Sequence, residues 1–396
     1  MKSKNTSRRA FLSAGLMLPV VGASSRMGLA DTGMGLFRSP EESTGKASTP
    51  AKLEYRTLGR TGLKVTTLGF GCMITSDPSV VQRAVDIGIN YFDSSRGYQH
   101  GNNERMVGAA LGSKRKQVVL STKTDTGTRD SMQKELETSL RELKTDFIDI
   151  WYLHGKDNVA DVTDEMIEAQ QIAKKQGKIR SAGVSTHKPQ ILLPWMAQKG
   201  VFDVALTVYN FSMDSGVDQA IATATKAGIG VVAMKVMAGG FKDIKPSDPL
   251  YAKLKTDGAM LAALKWVLDR PNVATTIPGM TDMDQLEENL KAMAEPFSKG
   301  DQRVLAAHLD AIKPIYCRMC GQCDGMCQKG LPVADMLRIL TYADGYRQFA
   351  LGRERFQELA AEHRAVRCCD CAECTVECPH GVRVSDRMAR AQELFA

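Results

Sequence analysis

Eight β-rich runs, seven of them separated from the next by a helical pattern and the last followed by one, predict an α/β chain built on a (β/α)₈ barrel. A cysteine-rich tail predicts a second, smaller and mainly helical domain behind it. Apolar residues make up 43% and charged residues 24% of the 396 residues, the balance of a folded globular protein of two or three domains. Nine of the ten cysteines lie in the last 80 residues, and only Cys72 precedes them, so the chemistry of the tail differs from that of the rest.

The formal charge of +7 is unevenly spread. Residues 1–30 hold five basic side chains (Lys2, Lys4, Arg8, Arg9, Arg26) and no acidic one, which leaves 47 basic against 45 acidic residues elsewhere. A near-neutral body is a poor footprint for nucleic acid, and that partner class is set aside. Ser7-Arg8-Arg9-Ala10-Phe11-Leu12 precedes an apolar stretch, Ala14 to Ala23, that is too short for a transmembrane segment. Gly28-Leu29-Ala30 is a small-x-small cleavage site. The segment resembles a bacterial twin-arginine (Tat) signal, with Ser13 where the consensus has Lys. That resemblance implies export of a folded protein to the periplasm, at most peripheral to the inner membrane. The bland alternative is a basic tail with a chance Arg-Arg pair. Residues 31–50, rich in Gly, Ser, Thr and Pro, read as a linker.

EYRTLGRTGLKV (54–65) reads as a hairpin placed to plug the barrel bottom. The eight strand candidates follow: 66–72, 89–94, 117–123, 147–154, 179–185, 203–209, 230–236 and 273–279. In the third helical segment Met132, Leu136, Leu140 and Leu143 share one face. Eight units in this length match a barrel. An open doubly wound sheet is the alternative, weakened because no strand is followed by GxGxxG.

Barrel enzymes place their active groups where strands end. Asp93 ends the second strand, Tyr98 follows five residues later, Lys123 ends the third strand and His154 the fourth. A phenol is a weak acid at neutral pH, and a nearby ammonium favours its phenolate. Asp93 is expected to pair with Lys123, and His154 to orient a carbonyl oxygen or share its proton. Tyr98 is then the acid in carbonyl reduction and the base in alcohol oxidation. Singly, each residue also reads as structural: a loop anchor, a core histidine, an ion pair.

DSSRGYQHGNNERMVGAAL (93–111) resembles the D-T-A-x-x-Y-x-x-G-x-x-E-x-x-x-G-x-x-L segment of the aldo-keto reductases. LGFGCM, STKT, WYLHG and GVS stand in that family's order, and the spacings of 5, 25 and 31 match its Asp-Tyr-Lys-His tetrad. The resemblance covers about residues 52–295. It implies a TIM barrel, a tetrad centred on Tyr98, a small carbonyl or alcohol substrate, and a nicotinamide cofactor, NAD(P)H, bound without a Rossmann fold. Of the cofactor contacts it implies, Ser185, Lys235, Gly279, Glu288 and Asn289 are the candidates here. The pattern is eroded around them. Many family members have I-P-K-S followed by an Arg, but this chain has Ile277-Pro278-Gly279-Met280 and then Gln285. The groups that hold a 2′-phosphate are missing. Leu206 stands at the Gln near the carboxamide, and Met234 at the Tyr that stacks on the nicotinamide. Lys235 reads equally as a phosphate contact or a solvated strand-end lysine.

Cys317, Cys320, Cys323 and Cys327 form C-x2-C-x2-C-x3-C. Cys368, Cys371, Cys374 and Cys378 repeat the run, with Pro379 after the last, and CQKGLPVADML (327–337) echoes CPHGVRVSDRM (378–388). This is the bacterial ferredoxin run and predicts two [4Fe–4S] clusters. Zinc, bound by separated C-x2-C pairs, and disulfides are the alternatives. In two-cluster ferredoxins the fourth cysteine ligates the other cluster. The expected partition is Cys317, Cys320, Cys323 with Cys378, and Cys368, Cys371, Cys374 with Cys327. Between the runs, Val333, Met336, Leu337 and Leu340 share a helical face, as do Phe356, Leu359, Ala360 and His363, which resembles a helical two-cluster ferredoxin.

The expected domains are a signal (1–30), a linker (31–50), the barrel (51–295) and a helical ferredoxin-type domain (296–396). The functional expectation is an exported oxidoreductase interconverting a carbonyl and an alcohol, whose clusters exchange electrons with a redox partner protein. The rival is an electron-transfer or partner-binding protein with a degenerate, non-catalytic barrel.

Overall fold

The computed structural model describes residues 53–240 and 258–396, apart from the side chain of Cys369. The expected signal (1–30) and the whole of the expected linker (31–50) lie outside the described residues. Strands β1 (Tyr55–Thr57) and β2 (Lys64–Thr66) pair antiparallel, Tyr55 opposite Thr66. The turn between them lies against the N-terminal end of the barrel. Leu58 is buried there, Arg60 N–H donates to the Gly228 carbonyl at 2.7 Å, and Gly59 abuts Gly230 too closely for a Cβ. Arg56 donates to the carbonyls of Arg270 and Val273, each at 2.7 Å. The hairpin is thus the bottom plug that its sequence predicts.

Eight parallel strands follow: β3 (Phe70–Gly71), β4 (Tyr91–Asp93), β5 (Val119–Thr124), β6 (Ile148–Leu153), β7 (Ile179–Thr186), β8 (Val204–Val208), β9 (Gly230–Met234) and β10 (Thr275–Thr276). Bridges Leu68–Thr276 and Gly71–Gly279 close the ring, which excludes the open sheet. All eight predicted strands are present. The first and last are short because Pro278, without an N–H, interrupts the closing ladder.

Helices α1 (Pro78–Ile87), α2 (Asn102–Leu111), α3 (Arg129–Glu142), α4 (Asp164–Lys175), α5 (Pro189–Lys199), α6 (Ser215–Lys226), α7 (Ala259–Leu268) and α8 (Met283–Ala294) surround the strands. Their starts are written in the sequence: the side chains of Asp77, Thr128, Thr163, Asp214 and Asp282 accept backbone N–H groups at five N-caps. Met132, Leu136, Leu140 and Leu143 are all buried, as their periodicity predicts. One large apolar cluster fills the layer between strands and helices, and Tyr91, Ile150, Tyr152 and Val232 belong to a smaller one inside the barrel.

α9 (Lys299–Ile312) packs on α7. The first cysteine run then leads to α10 (Val333–Asp344), α11 (Phe349–Gln357), α12 (Ala361–Ala365), the second cysteine run and α13 (Val384–Phe395). Val333, Met336, Leu337 and Leu340 are buried with Phe356, Met388 and Phe395 in a separate core. The face expected over 356–363 does not persist. Ala360 leaves helical backbone (φ −53°, ψ 143°) and is exposed, so α11 and α12 are two helices at a break. Among the described residues no helix is long and apolar enough to cross a membrane.

The helical region lies over the C-terminal mouth of the barrel. Asn210 Nδ2 donates to Tyr316 OH at 3.1 Å, and Lys188 pairs with Asp324 at 2.7 Å. Gly345 meets the Gly239 carbonyl with no room for a Cβ.

Candidate active site

β4 and β5 are adjacent and parallel, so their ends deliver Asp93 and Lys123 side by side. Both are about 1% exposed, and Lys123 Nζ lies 2.5 Å from Asp93 Oδ2. Ser121 donates to Asp93 Oδ1 at 2.7 Å, and Nζ donates to the Ser94 carbonyl at 2.6 Å. Burial disfavours the ammonium, but Asp93 and the Tyr98 oxygen more than offset it and hold the Lys123 pKa above the ordinary range. Lys123 is therefore a fixed cation.

Tyr98 starts a tight turn in which Gln99 and His100 take left-handed backbone (φ 51° and 52°). Its ring lies 4.7 Å from Lys123 Nζ and edge-on to His154 at 5.9 Å between centroids. The sequence predicts that Lys123 lowers the Tyr98 pKa. Lys123 does pull in that direction, but burial outweighs it, and the phenol is pushed up to about 12. Tyr98 is thus fully protonated at neutral pH.

His154 Nδ1 lies 2.5 Å from Asp125 Oδ1. Burial works against the Asp125 carboxylate, yet its hydrogen bond with His154 holds it below the ordinary carboxylate range. Burial in turn holds His154 below the ordinary histidine range, despite Asp125. A carboxylate only accepts, so Nδ1 carries the proton and Nε2 is left as an acceptor.

These groups line one cavity of about 720 Å³. Asp93, Tyr98, Lys123, His154, Ser185, Lys235, Gly279 and Asn289 all border it. Glu288, half-buried beside Asn289, is not on its wall. Ser185 Oγ accepts the Gly155 N–H at 2.8 Å. Leu206, Met234 and Gln285 reach the wall, so the altered cofactor positions do face the ligand space. Lys235 is not a solvated strand end: its Nζ lies 5.0 Å from the Tyr342 ring and 5.6 Å from the Tyr346 ring. Tyr342, Tyr346, Arg338 and Arg355 come from the helical region and complete the wall. Sequence reasoning missed these four and Asp125. Asp125 carried a signal, two residues beyond Lys123 at a strand end. The other four carried none.

The cysteines of the two runs do not border this cavity. Burial pushes the Cys317 thiol up to about 12, and Cys323, Cys320 and Cys378 are near enough to push the same way, while the Met319 N–H donates to Cys317 Sγ at 3.3 Å. The fourth cysteine of the second run therefore stands with the first three of the first run. On the other side, Thr375 donates to the Met326 carbonyl at 3.0 Å, and Lys329 lies 3.9 Å from Asp370, which brings the Cys327 loop to the second run. Among the described residues no three His, Cys, Asp or Glu side chains are gathered closely enough to hold a single metal ion.

The sequence profile of the aldo/keto reductase family matches residues 76–310, more than half of the chain. The chain belongs to the aldo/keto reductase family. It is similar to the uncharacterized oxidoreductase YqkF of Bacillus subtilis, 27% identical over 298 residues that cover 65% of this chain and 96% of that protein. It is also similar to L-galactose dehydrogenase of Arabidopsis thaliana, 28% identical with 67% and 96% covered. Methylglyoxal reductase DkgB of Escherichia coli O157:H7 is 26% identical, with 58% and 86% covered. Among solved structures, aldo-keto reductase AKR11C1 from Bacillus halodurans in its holo form superposes with a TM-score of 0.56 at 27% identity, covering 65% of this chain and 96% of that one. This aldo/keto reductase is thus an oxidoreductase on a (β/α)₈ barrel, and its helical, cysteine-bearing region follows the segment that the family profile matches.

Proposed function

We propose that this aldo/keto reductase interconverts a small carbonyl compound and its alcohol with Tyr98 as the proton-transfer group. The observation that carries the reading is the buried Asp93–Lys123 pair beneath a protonated Tyr98, with His154 at its edge. A carbonyl oxygen at the Tyr98 hydroxyl gains negative character as the carbon accepts a hydride. Lys123 stabilises the phenolate left behind, and the Tyr98 proton completes the alcohol. His154 Nε2, fixed as an acceptor by Asp125, restricts where a ligand hydroxyl can sit. Tyr98 recovers its proton from water after product leaves.

A nicotinamide cofactor, bound in the cavity, supplies the hydride and its two electrons. Ser185 and Asn289 are the polar groups placed to hold it, with Met234 able to pack on a ring through its sulfur. Gly279, Met280 and Gln285 offer no cation to a 2′-phosphate, which favours NADH over NADPH. Apolar Leu206 and Met234 also favour the rival reading, an electron-transfer protein with a non-catalytic barrel. The Tyr98 constellation supports the catalytic reading.

The helical region is proposed as a two-cluster ferredoxin-type domain. Cys317, Cys320, Cys323 and Cys378 would hold one [4Fe–4S] cluster, and Cys368, Cys371, Cys374 and Cys327 the other. The spacing supports this: C-x2-C-x2-C-x3-C, twice, is the ferredoxin run, whereas zinc is normally held by two separated C-x2-C pairs. Such clusters exchange single electrons with a redox partner protein. Export through the Tat route to the periplasm completes the proposal, because clusters are inserted before a folded protein is exported.

The test uses full-length, anaerobically purified protein with 4-nitrobenzaldehyde and NADH or NADPH. Tyr98→Phe should lower turnover by about 10²–10⁴-fold. Unchanged turnover would remove Tyr98 from the chemistry. Iron and sulfide should each approach about eight per chain. Stoichiometric zinc without visible absorbance would refute the clusters.

A further inference from the structure

Arg355 lies on α11, beyond the residues that the family profile matches, yet it borders the same cavity as Tyr98, Asp125 and His154. Glu358, just past the end of that helix, takes its Nη1 at 2.9 and 3.1 Å. Its Nη2 is the nitrogen nearer the barrel. A Cβ built on Gly97, the residue before Tyr98, would stand 2.5 Å from Asp125 Oδ2 and 3.9 Å from Arg355 Nη2. The carboxylate and the guanidinium thus approach each other over the bare backbone of Gly97. Glu354, next to Arg355, lies 3.7 Å from His100 Nε2, so two consecutive residues of α11 meet the Tyr98 turn.

We propose that Arg355 is a positioning residue of the barrel site: reaching over Gly97 from the helical region, it holds Asp125 as the acceptor of the His154 Nδ1–H and so keeps Nε2 free of a proton. Its effect on turnover rests on the carbonyl-reducing reading above; its effect on His154 does not. That tautomer needs an ionised carboxylate and an uncharged ring side by side. Left to themselves the two groups favour a further proton, because an imidazolium and a carboxylate attract. A cation beside both acts against this twice, favouring the carboxylate and disfavouring the imidazolium. Arginine suits the task because its guanidinium does not lose its charge. The charged and titratable groups around the pair are Lys123 from β5, Tyr98 from its turn and Arg355 from α11, with the Ser95 hydroxyl 3.5 Å from Nδ1. Lys123 is already held by Asp93 at 2.5 Å. Arg355 itself faces Glu358, Tyr342 and Glu354. Burial opposes the Asp125 carboxylate, the His154 hydrogen bond favours it, and Arg355 adds to that bond. Burial keeps His154 uncharged against the pull of Asp125, and Lys123 and Arg355 both add to the burial.

The test is a pH titration of the histidine ring signals by nuclear magnetic resonance, in full-length protein carrying isotope-labelled histidine, with His154 assigned from His154→Gln. Wild type should show His154 as the Nδ1–H tautomer, titrating below the ordinary histidine range. Arg355→Gln should raise that midpoint by about one pH unit, and Arg355→Lys, which keeps a cation there, should stay close to wild type. Glu354→Gln loosens the same contact with the Tyr98 turn but leaves the guanidinium, and should move the midpoint far less. In 4-nitrobenzaldehyde reduction, kcat should begin to fall on the acid side about one pH unit higher in Arg355→Gln than in wild type. An unmoved midpoint in Arg355→Gln, or equal shifts in Arg355→Gln and Glu354→Gln, would overturn the proposal. If the midpoint moves as expected but no aldehyde is reduced, the carbonyl-reducing reading fails and the positioning role stands.

Discussion

The barrel mouth and the cysteine region are built on opposite plans. In the mouth every group that the chemistry needs is fixed by another group of the chain: Asp93 holds Lys123, Lys123 underlies Tyr98, and Asp125 sets the His154 tautomer. In the helical region Cys317, Cys323, Cys327, Cys368 and Cys378 border an apolar core, but no three acidic, histidine or thiol groups among the described residues converge on one point. A constellation completed by its own ion pairs is preorganised. The thiols instead border a core of Met336, Leu340, Phe356 and Phe395. The first should lose function when one member is changed, and stability too where the change strips a buried charge of its partner. On the cluster proposal, the second should lose iron.

The largest expected effect lies in the mouth. Lys123→Met removes the cation that stabilises a Tyr98 phenolate and leaves Asp93 buried without a partner. Turnover should fall by at least about 10³-fold, and stability by about 3–5 kcal/mol, read by single-turnover kinetics and chemical denaturation. Unaltered stability would show that Asp93 is not the buried partner described here.

Cys378→Ser sharpens the contrast. It should remove about four of eight irons, because Cys378 stands with Cys317, and leave the set around Cys327 loaded. Loss confined to the set of Cys368, Cys371 and Cys374 would reverse the partition, and iron analysis with electron paramagnetic resonance separates the two. Asp125→Asn frees the His154 tautomer and should cost about tenfold in kcat, with little change in melting temperature. The smallest effect is on the pH dependence of reduction. Tyr98 acts there as an acid with its pKa raised to about 12, so the rate should stay flat from neutral pH to well above it and be lost only as pH approaches that value. Oxidation needs the phenolate and should rise about tenfold per pH unit over the same range. A plateau in oxidation near pH 8 would mean that Tyr98 titrates far lower than its burial implies.

The barrel was legible because its functional residues occupy strand ends in a fixed order. Asp93, Lys123 and His154 need only adjacent parallel strands to meet, and a sequence can show that. The pKa of Tyr98 was not legible, since it depends on what lies above the mouth. Periodicity identified Val333, Met336, Leu337 and Leu340 as the buried side of α10. Arg338 and Tyr342 lie on the other side of α10, to which that pattern gives no role. They are turned to the cavity because the helical region sits on the barrel, an arrangement that local pattern does not encode. The break at Ala360 escaped for a related reason: helical spacing continues through it while the backbone does not.

The central claim is that a buried, protonated Tyr98 gives the proton to the carbonyl. Its most direct test is the pH–rate profile of 4-nitrobenzaldehyde reduction by NADH, for wild type and for Tyr98→Phe under single-turnover conditions. The account predicts a flat wild-type profile through neutral pH and a loss of about 10²–10⁴-fold at every pH in the variant. A variant that matches wild type across the profile would contradict it.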